Sequence, residues 1–133
     1  MIEETGHFYR AKICDFGFSV PLSELEEVQK TPIVSAPWRI LAPEVGSSSK
    51  WSIASDIWSF ALLMYSVSTR KRPYENLTTN EVKARLLSGI PPHLEYDSSP
   101  YKDHISRMLS LDPKARGDME LNCSSLENML EVQ

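Results

Sequence analysis

Residues 55–67 read Ser-Asp-Ile-Trp-Ser-Phe-Ala-Leu-Leu-Met-Tyr-Ser-Val, and this stretch decides the fold. Ile57, Trp58, Phe60, Ala61, Leu62, Leu63, Met64, Tyr65 and Val67 cover nearly every face of a helix, which puts that helix in the middle of a domain. Ser55 reads as its N-cap and Asp56 as an acid suited to the positive helix end. The run contains serines and is too short to cross about 30 Å of hydrocarbon, so a membrane span is excluded. Downstream, Thr78-Thr79-Asn80-Glu81 holds a Thr-x-x-Glu capping box, followed by an apolar stripe of Val82, Leu86 and Leu87. Gly89 and Pro91-Pro92 stop that helix. Ser99-Pro100 opens another through Ile105, Met108 and Leu109, ended by Asp112-Pro113. Leu126, Met129 and Leu130 mark a short last helix.

Upstream the pattern is different. Met1-Ile2 reads as the end of one strand, residues 3–6 as a turn, and residues 7–14 as a second strand. Residues 18–36 mix Ser, Pro, Glu and Thr and read as a long exposed loop, with one helical turn around residues 22–28; a loop of that length is functional or mobile. The fold class is therefore mainly α with a short β-hairpin at the N-terminus. The 133 residues suffice for one domain and not two. With 14 Lys and Arg against 18 Asp and Glu, the net charge of −4 argues against a nucleic-acid partner, which needs a basic face. Cys14 and Cys123 lack metal-ligand spacing and cannot build a disulfide framework, which fits a reducing, intracellular and cytoplasmic setting. His7, His93 and His104 are scattered, and Arg70-Lys71-Arg72 suits a helix C-terminus.

Three segments carry more than helix propensity. Asp15-Phe16-Gly17 places a carboxylate after an apolar strand, next to a glycine that lets the backbone change conformation; this suits a metal-holding group and equally suits a plain turn. Ala42-Pro43-Glu44 follows, with Glu44 29 residues beyond Asp15, and reads by itself as a proline-limited loop entering a helix. Ser55-Asp56-Ile57-Trp58-Ser59-Phe60 reads by itself as ordinary capping of a core helix. Their order and spacing together are far more specific than any one of them.

With these residues in view, the sequence resembles the C-terminal lobe of a eukaryotic protein kinase. Lys12-Ile13-Cys14-Asp15-Phe16-Gly17 looks like the strand and metal-binding motif that opens the activation segment, and Ala42-Pro43-Glu44 like the motif that closes it. Residues 55–61 resemble the start of the lobe's central helix. Arg72-Pro73-Tyr74 resembles the approach to the next helix, and residues 111–116, Leu-Asp-Pro-Lys-Ala-Arg, the turn before the last one. The pattern Pro37-x-Arg39-x-x-Ala42-Pro43-Glu44 is closer to tyrosine kinases and tyrosine-kinase-like kinases than to other serine/threonine kinases. Residues 1–133 then form a partial kinase domain, with the activation segment at 15–44 and lobe helices over 55–131.

The resemblance implies roles. Asp15 would hold a Mg²⁺ bridging ATP phosphates, Phe16 would pack inward, and Gly17 would be the pivot. Pro37, Trp38 and Arg39 would belong to the shelf that receives a protein substrate. Glu44 would pair with Arg116 in the interior, and Asp56 would accept hydrogen bonds from the catalytic-loop backbone. Ser19, Ser23, Thr31 and Ser35 would be the phosphorylation sites of the loop, which has no tyrosine. None of these is a catalytic base. None of the five glycines has Gly-x-Gly-x-x-Gly spacing, and no Val-Ala-Ile-Lys or His-Arg-Asp segment occurs. The expectation is a fragment starting inside the domain, inactive alone and binding neither ATP nor Mg²⁺ tightly. Its parent would transfer the γ-phosphoryl of ATP to protein hydroxyls. The alternative is a non-catalytic, pseudokinase-like module that meets a protein partner, or a second copy, through the flank of the central helix left facing water.

Overall fold

The computed structural model describes residues 1–6, 8–19, 21, 27–29, 37–95 and 99–131. Strands β1 (Ile2–Thr5) and β2 (Phe8–Ala11) form an antiparallel hairpin with Ile2 opposite Ala11 and Thr5 opposite Phe8. Lys12 N–H donates to Met1 O at 2.9 Å and extends the ladder by one step. The expected turn at residues 3–6 is corrected: Glu3 to Thr5 are strand, and Gly6 at φ 64° begins the reversal, because only a glycine adopts that conformation without strain. The second strand also stops at Ala11, short of Cys14. Phe16–Phe18 form a 3₁₀ turn.

Strand β3 (Glu27–Gln29) pairs antiparallel with β4 (Lys50–Ser52), with Val28 opposite Trp51. Of the helical turn expected around residues 22–28, residues 27 and 28 are strand and residues 22–26 lie outside the described residues. Between the two strands, α1 (Pro43–Ser48) has Pro43 at its first position, where the missing N–H leaves no bond unmade.

Helix α2 (Ile53–Thr69) is the hub, packed against α4, α5, β4 and the 3₁₀ turn Pro113–Arg116. Its N-cap is Ser52 and not Ser55: the Ser52 hydroxyl accepts from Ser55 N–H at 3.3 Å, and Ser55 Oγ accepts from Ser52 N–H at 3.0 Å. Ser55 is thus the third residue of a capping box, the place where Glu or Gln is more usual. Ile57, Trp58, Ala61, Leu62 and Tyr65 are buried with Val82, Leu86, Ile105 and Met108. On the other flank Leu63 is 57% and Val67 72% exposed. With Phe60, Met64, Tyr101 and Leu126 they line an open, almost wholly apolar groove of about 350 Å³. The helix is therefore apolar all round but covered on one side only.

Helix α3 (Thr79–Leu87) starts from the Thr78–Glu81 capping box, with Thr78 N–H donating to Glu81 Oε2 at 2.7 Å. Hydrogen bonds from the Thr78 side chain and backbone hold the Glu81 carboxyl below its ordinary value. Leu87, expected on the buried stripe, is exposed. Helix α4 (Lys102–Met108) begins two residues beyond Pro100, because Ser99 and Pro100 are used in a turn. Helix α5 (Met119–Glu131) has 13 residues, longer than Leu126, Met129 and Leu130 alone suggested. Asp118 Oδ1 accepts from Leu121 N–H at 2.7 Å and supplies the start signal that the apolar spacing lacked.

Adjacent leucines separate the two flanks of α2. Leu62→Ala removes a side chain only 1% exposed and is expected to lower unfolding stability by about 2–5 kcal/mol. Leu63→Ala, next in sequence, is expected to change it by about 0.5 kcal/mol or less in the same urea titration.

Candidate functional site: a clamped ledge and its anchor

Residues 37–41 leave solvent for the core within five positions: Pro37 and Ile40 are exposed, Trp38 and Arg39 half-buried, and Leu41 buried. Ile40 N–H donates to Pro37 O at 3.0 Å, closing a turn. The Arg39 guanidinium reaches the connection between α2 and α3, donating from Nη1 to Tyr74 O at 2.7 Å and from Nη2 to Leu77 O. A cation bound to backbone carbonyls in a half-buried place makes a charge-assisted clamp. Ser59 on α2 adds a second tie, its Oγ donating to Ile40 O at 2.8 Å.

The Trp38 ring packs against α1 at Gly46. Lys83 Nζ from α3 stands 5.0 Å from the ring centroid. A Cβ built on Gly46 would sit 2.5 Å from Trp38 Cζ3, so this glycine provides the space the ring occupies. Gly46→Ala should push the ring off its seat, with loss of about 1–3 kcal/mol as in other overpacked sites. The check is the Trp38 indole resonance, which should shift far more than those of Trp51 and Trp58.

The ledge is anchored from behind. Arg116 is fully buried. Its Nη1 donates to Glu44 Oε1 at 2.6 Å and its Nη2 to Glu44 Oε2 at 2.9 Å, a two-pronged pair. Nη1 also donates to Ala54 O at 2.8 Å and Nε to Ser110 O at 2.8 Å. The guanidinium carbon stands 5.0 Å from the ring centroid of Trp58. One side chain thus joins α1, the start of α2 and the approach to α5. Behind it, Asn122 Nδ2 donates to Arg116 O at 3.1 Å, and Arg107 Nη2 donates to Asn122 Oδ1 at 3.1 Å. Lys83, Gly46 and Asn122 belong to no motif in the sequence, and Ser59 stands there only within the capping stretch of α2; no local periodicity signals their partners.

Asp15 takes a left-handed conformation at φ 65° and is exposed. An aspartate tolerates that region better than most residues. Gly17 follows inside the 3₁₀ turn. Phe16 is 63% exposed, which corrects the expectation that it packs inward: no described side chain covers it. Among the described residues no hydrogen bond or ion pair joins residues 15–17 to the ledge. Asp56 lies exposed on the first turn of α2. Ser19 is exposed, its N–H donating to Phe16 O at 2.9 Å. Ser23, Thr31 and Ser35 lie outside the described residues.

Mg²⁺ is usually bound by one or two carboxylates together with substrate phosphates. Asp15 suits one such ligand, but among the described residues no three His, Cys, Asp or Glu side chains gather to hold a metal. A single exposed carboxylate does not make a binding site. Among the same residues, no helix is long and apolar enough to cross a membrane.

A helical hub, a buried arginine–carboxylate anchor and a clamped ledge thus stand together in one helical unit. The family model for the protein kinase domain matches residues 1–125, and the chain belongs to that family. Ribosomal protein S6 kinase alpha-3 of Homo sapiens is 34% identical over 122 residues, covering 86% of this chain and 16% of the relative. The probable serine/threonine-protein kinase drkC of Dictyostelium discoideum is 29% identical over 128 residues, covering 91% and 16%. Serine/threonine-protein kinase fray2 of the same organism is 30% identical over 122 residues, covering 87% and 11%. The chain thus spans no more than 16% of the length of these relatives.

Proposed function

We propose that this chain is part of a protein kinase that transfers the γ-phosphoryl group of ATP to serine or threonine hydroxyls of a protein substrate. Its share of the work is to receive the substrate, not to activate its hydroxyl. The observation that carries this reading is the ledge at residues 37–41, held by Arg39 on one side and by the Glu44–Arg116 anchor on the other. Such a segment keeps a fixed backbone for an incoming polypeptide while Pro37 and Ile40 stay open to it. The names of the relatives favour serine and threonine over tyrosine, against the likeness of residues 37–44 to the tyrosine kinases. Asp15 would be one Mg²⁺ ligand in the complete protein, with ATP bound largely by residues other than these. Residues 15–44 would form the activation segment, with Ser19, Ser23, Thr31 and Ser35 as its phosphorylation sites, and residues 55–131 the helical support.

Phosphoryl transfer depends on several groups that position the reactants and neutralise charge together. The 133 residues contain no His-Arg-Asp segment and no glycine lid, so the chain alone is expected to transfer nothing. The test uses the protein from its complete reading frame. Asp15→Asn there should abolish transfer from labelled ATP to a mixed protein substrate while the melting temperature stays unchanged. Undiminished transfer by that variant would remove Asp15 from the site.

A further inference from the structure

His104, on α4, is only 9% exposed, and the proposed function makes no use of it. Its Nδ1 lies 3.3 Å from Nη2 of Arg107, one turn further along the same helix. A guanidinium only donates, so Nδ1 offers its lone pair and the ring's single proton sits on Nε2. Nε2 is sealed from solvent, with no hydrogen-bond partner among the described residues. Nothing at that end of the ring would compensate a positive charge, and the setting suits the neutral imidazole alone.

An Nη2 group has two hydrogens, and Arg107 donates the other to Asn122 Oδ1 at 3.1 Å. Asn122, on α5, is 1% exposed and donates in turn from Nδ2 to Arg116 O at 3.1 Å and Asp118 O at 2.7 Å. One nitrogen of Arg107 thus links α4 to α5, and the link ends on the residue that anchors the ledge. Of the charged groups on the surrounding elements, only Arg107 bears on the ring. Asp56 on α2, Lys102 and Asp103 on α4, Lys114 on the 3₁₀ turn, and Glu120 and Glu127 on α5 are exposed, and none pairs with it among the described residues. Asp118 caps α5, and Arg116 is engaged by Glu44. Burial first, and then the Arg107 charge, hold the ring's pKa below the ordinary histidine value, while the Asn122 backbone acts in the opposite direction.

We propose that His104 is an acid-released latch between α4 and α5: neutral, it seats Arg107 against Asn122; protonated at Nδ1, it expels Arg107 and frees α5. A hydrogen on Nδ1 would point at the guanidinium, setting two donors and two positive charges face to face. Arg107 is exposed and can swing into water, but Asn122 Oδ1 then loses its donor inside the lobe. No ligand has to reach the sealed ring. The proton is taken up as the seam opens, and the balance between open and closed forms sets the response. The open form binds that proton at the ordinary histidine value of about 6.5, the closed form only below it. Closure therefore has its full support above that pH and loses it as the pH falls through it. The latch rests on no part of the kinase reading.

The test compares the 133-residue chain with its His104→Gln variant, whose amide oxygen still accepts from Arg107 but never titrates. In urea unfolding at constant ionic strength, the parent's folded-to-unfolded ratio should fall severalfold relative to the variant's between about pH 7.5 and about pH 5.5, with about tenfold as the limit for one proton. Hydrogen exchange, corrected for the intrinsic rate at each pH, should show residues 119–131 losing protection in acid before the buried turns of α2, and in the parent alone. Arg107→Met should raise the titration midpoint of the His104 ring resonance, a shift that burial of the ring does not produce without the contact. Should His104→Gln fail to fold, His104→Leu replaces it with the same expected flat profile. Parallel pH profiles for parent and variant, or a ring midpoint at or above the ordinary value, would overturn the latch. So would a midpoint unmoved by Arg107→Met, or an acid loss of protection spread evenly over all the helices.

Discussion

Arg116→Met is expected to remove about 3–5 kcal/mol of unfolding stability, a large share of the roughly 5–15 kcal/mol margin of an ordinary domain. The side chain is fully buried and serves Glu44, Ala54 O and Ser110 O at once. Methionine fills much of the space but donates nothing, so a carboxylate and two carbonyls lose their partner. Glu44→Gln should cost less, because an amide oxygen still accepts from Nη1 and the Glu44 side chain keeps 19% of its surface in water. Arg116→Met combined with Glu44→Leu should recover part of the loss, since replacing both partners leaves no charge stranded. Urea unfolding of the parent, Arg116→Met, Glu44→Leu and the double variant closes the cycle and gives the coupling directly. A loss below about 1 kcal/mol for Arg116→Met would mean that the anchor does not hold the lobe together.

Trp58→Ala carries the second large effect, about 3–5 kcal/mol, because the ring is wholly buried and stands against the Arg116 guanidinium. Part of that is packing and part the face offered to the cation. Trp58→Phe separates them. It keeps an aromatic face and removes Nε1, a buried donor with no hydrogen-bond partner among the described residues. Leaving such a donor unmatched is itself unfavourable by about 1–3 kcal/mol, so Phe should lose less than half of what Ala loses. Near-equal losses for Phe and Ala would show that indole volume, not the face, supports Arg116.

The helices were legible because their signals are local. The Thr78-x-x-Glu81 box and the Val82–Leu86 spacing lie within a few residues of one another, and both are present in α3. Boundaries were less legible where two residues of one type competed: Ser52 and Ser55 form the same box, and only the backbone decides which is the cap. Strand β3 was missed because three residues pair with β4 across α1, and nothing in residues 27–29 carries that partner's address. The site depends on even longer reach. Glu44 and Arg116 are 72 positions apart, and no periodicity links them; only the family likeness pairs them. Arg39 and Tyr74 are 35 apart, and that clamp was not foreseen at all. The inward Phe16 failed for a physical reason as well: an apolar side chain packs only where neighbouring side chains form a surface, and here Phe16 stands in solvent.

The most direct measurement is phosphoamino-acid analysis of a mixed protein substrate incubated with labelled ATP. One arm receives the protein from the complete reading frame, the other the purified 133-residue chain. Phosphoserine and phosphothreonine are expected in the first arm and no label in the second. Label confined to tyrosine, or transferred by the 133 residues alone, would contradict the proposed function.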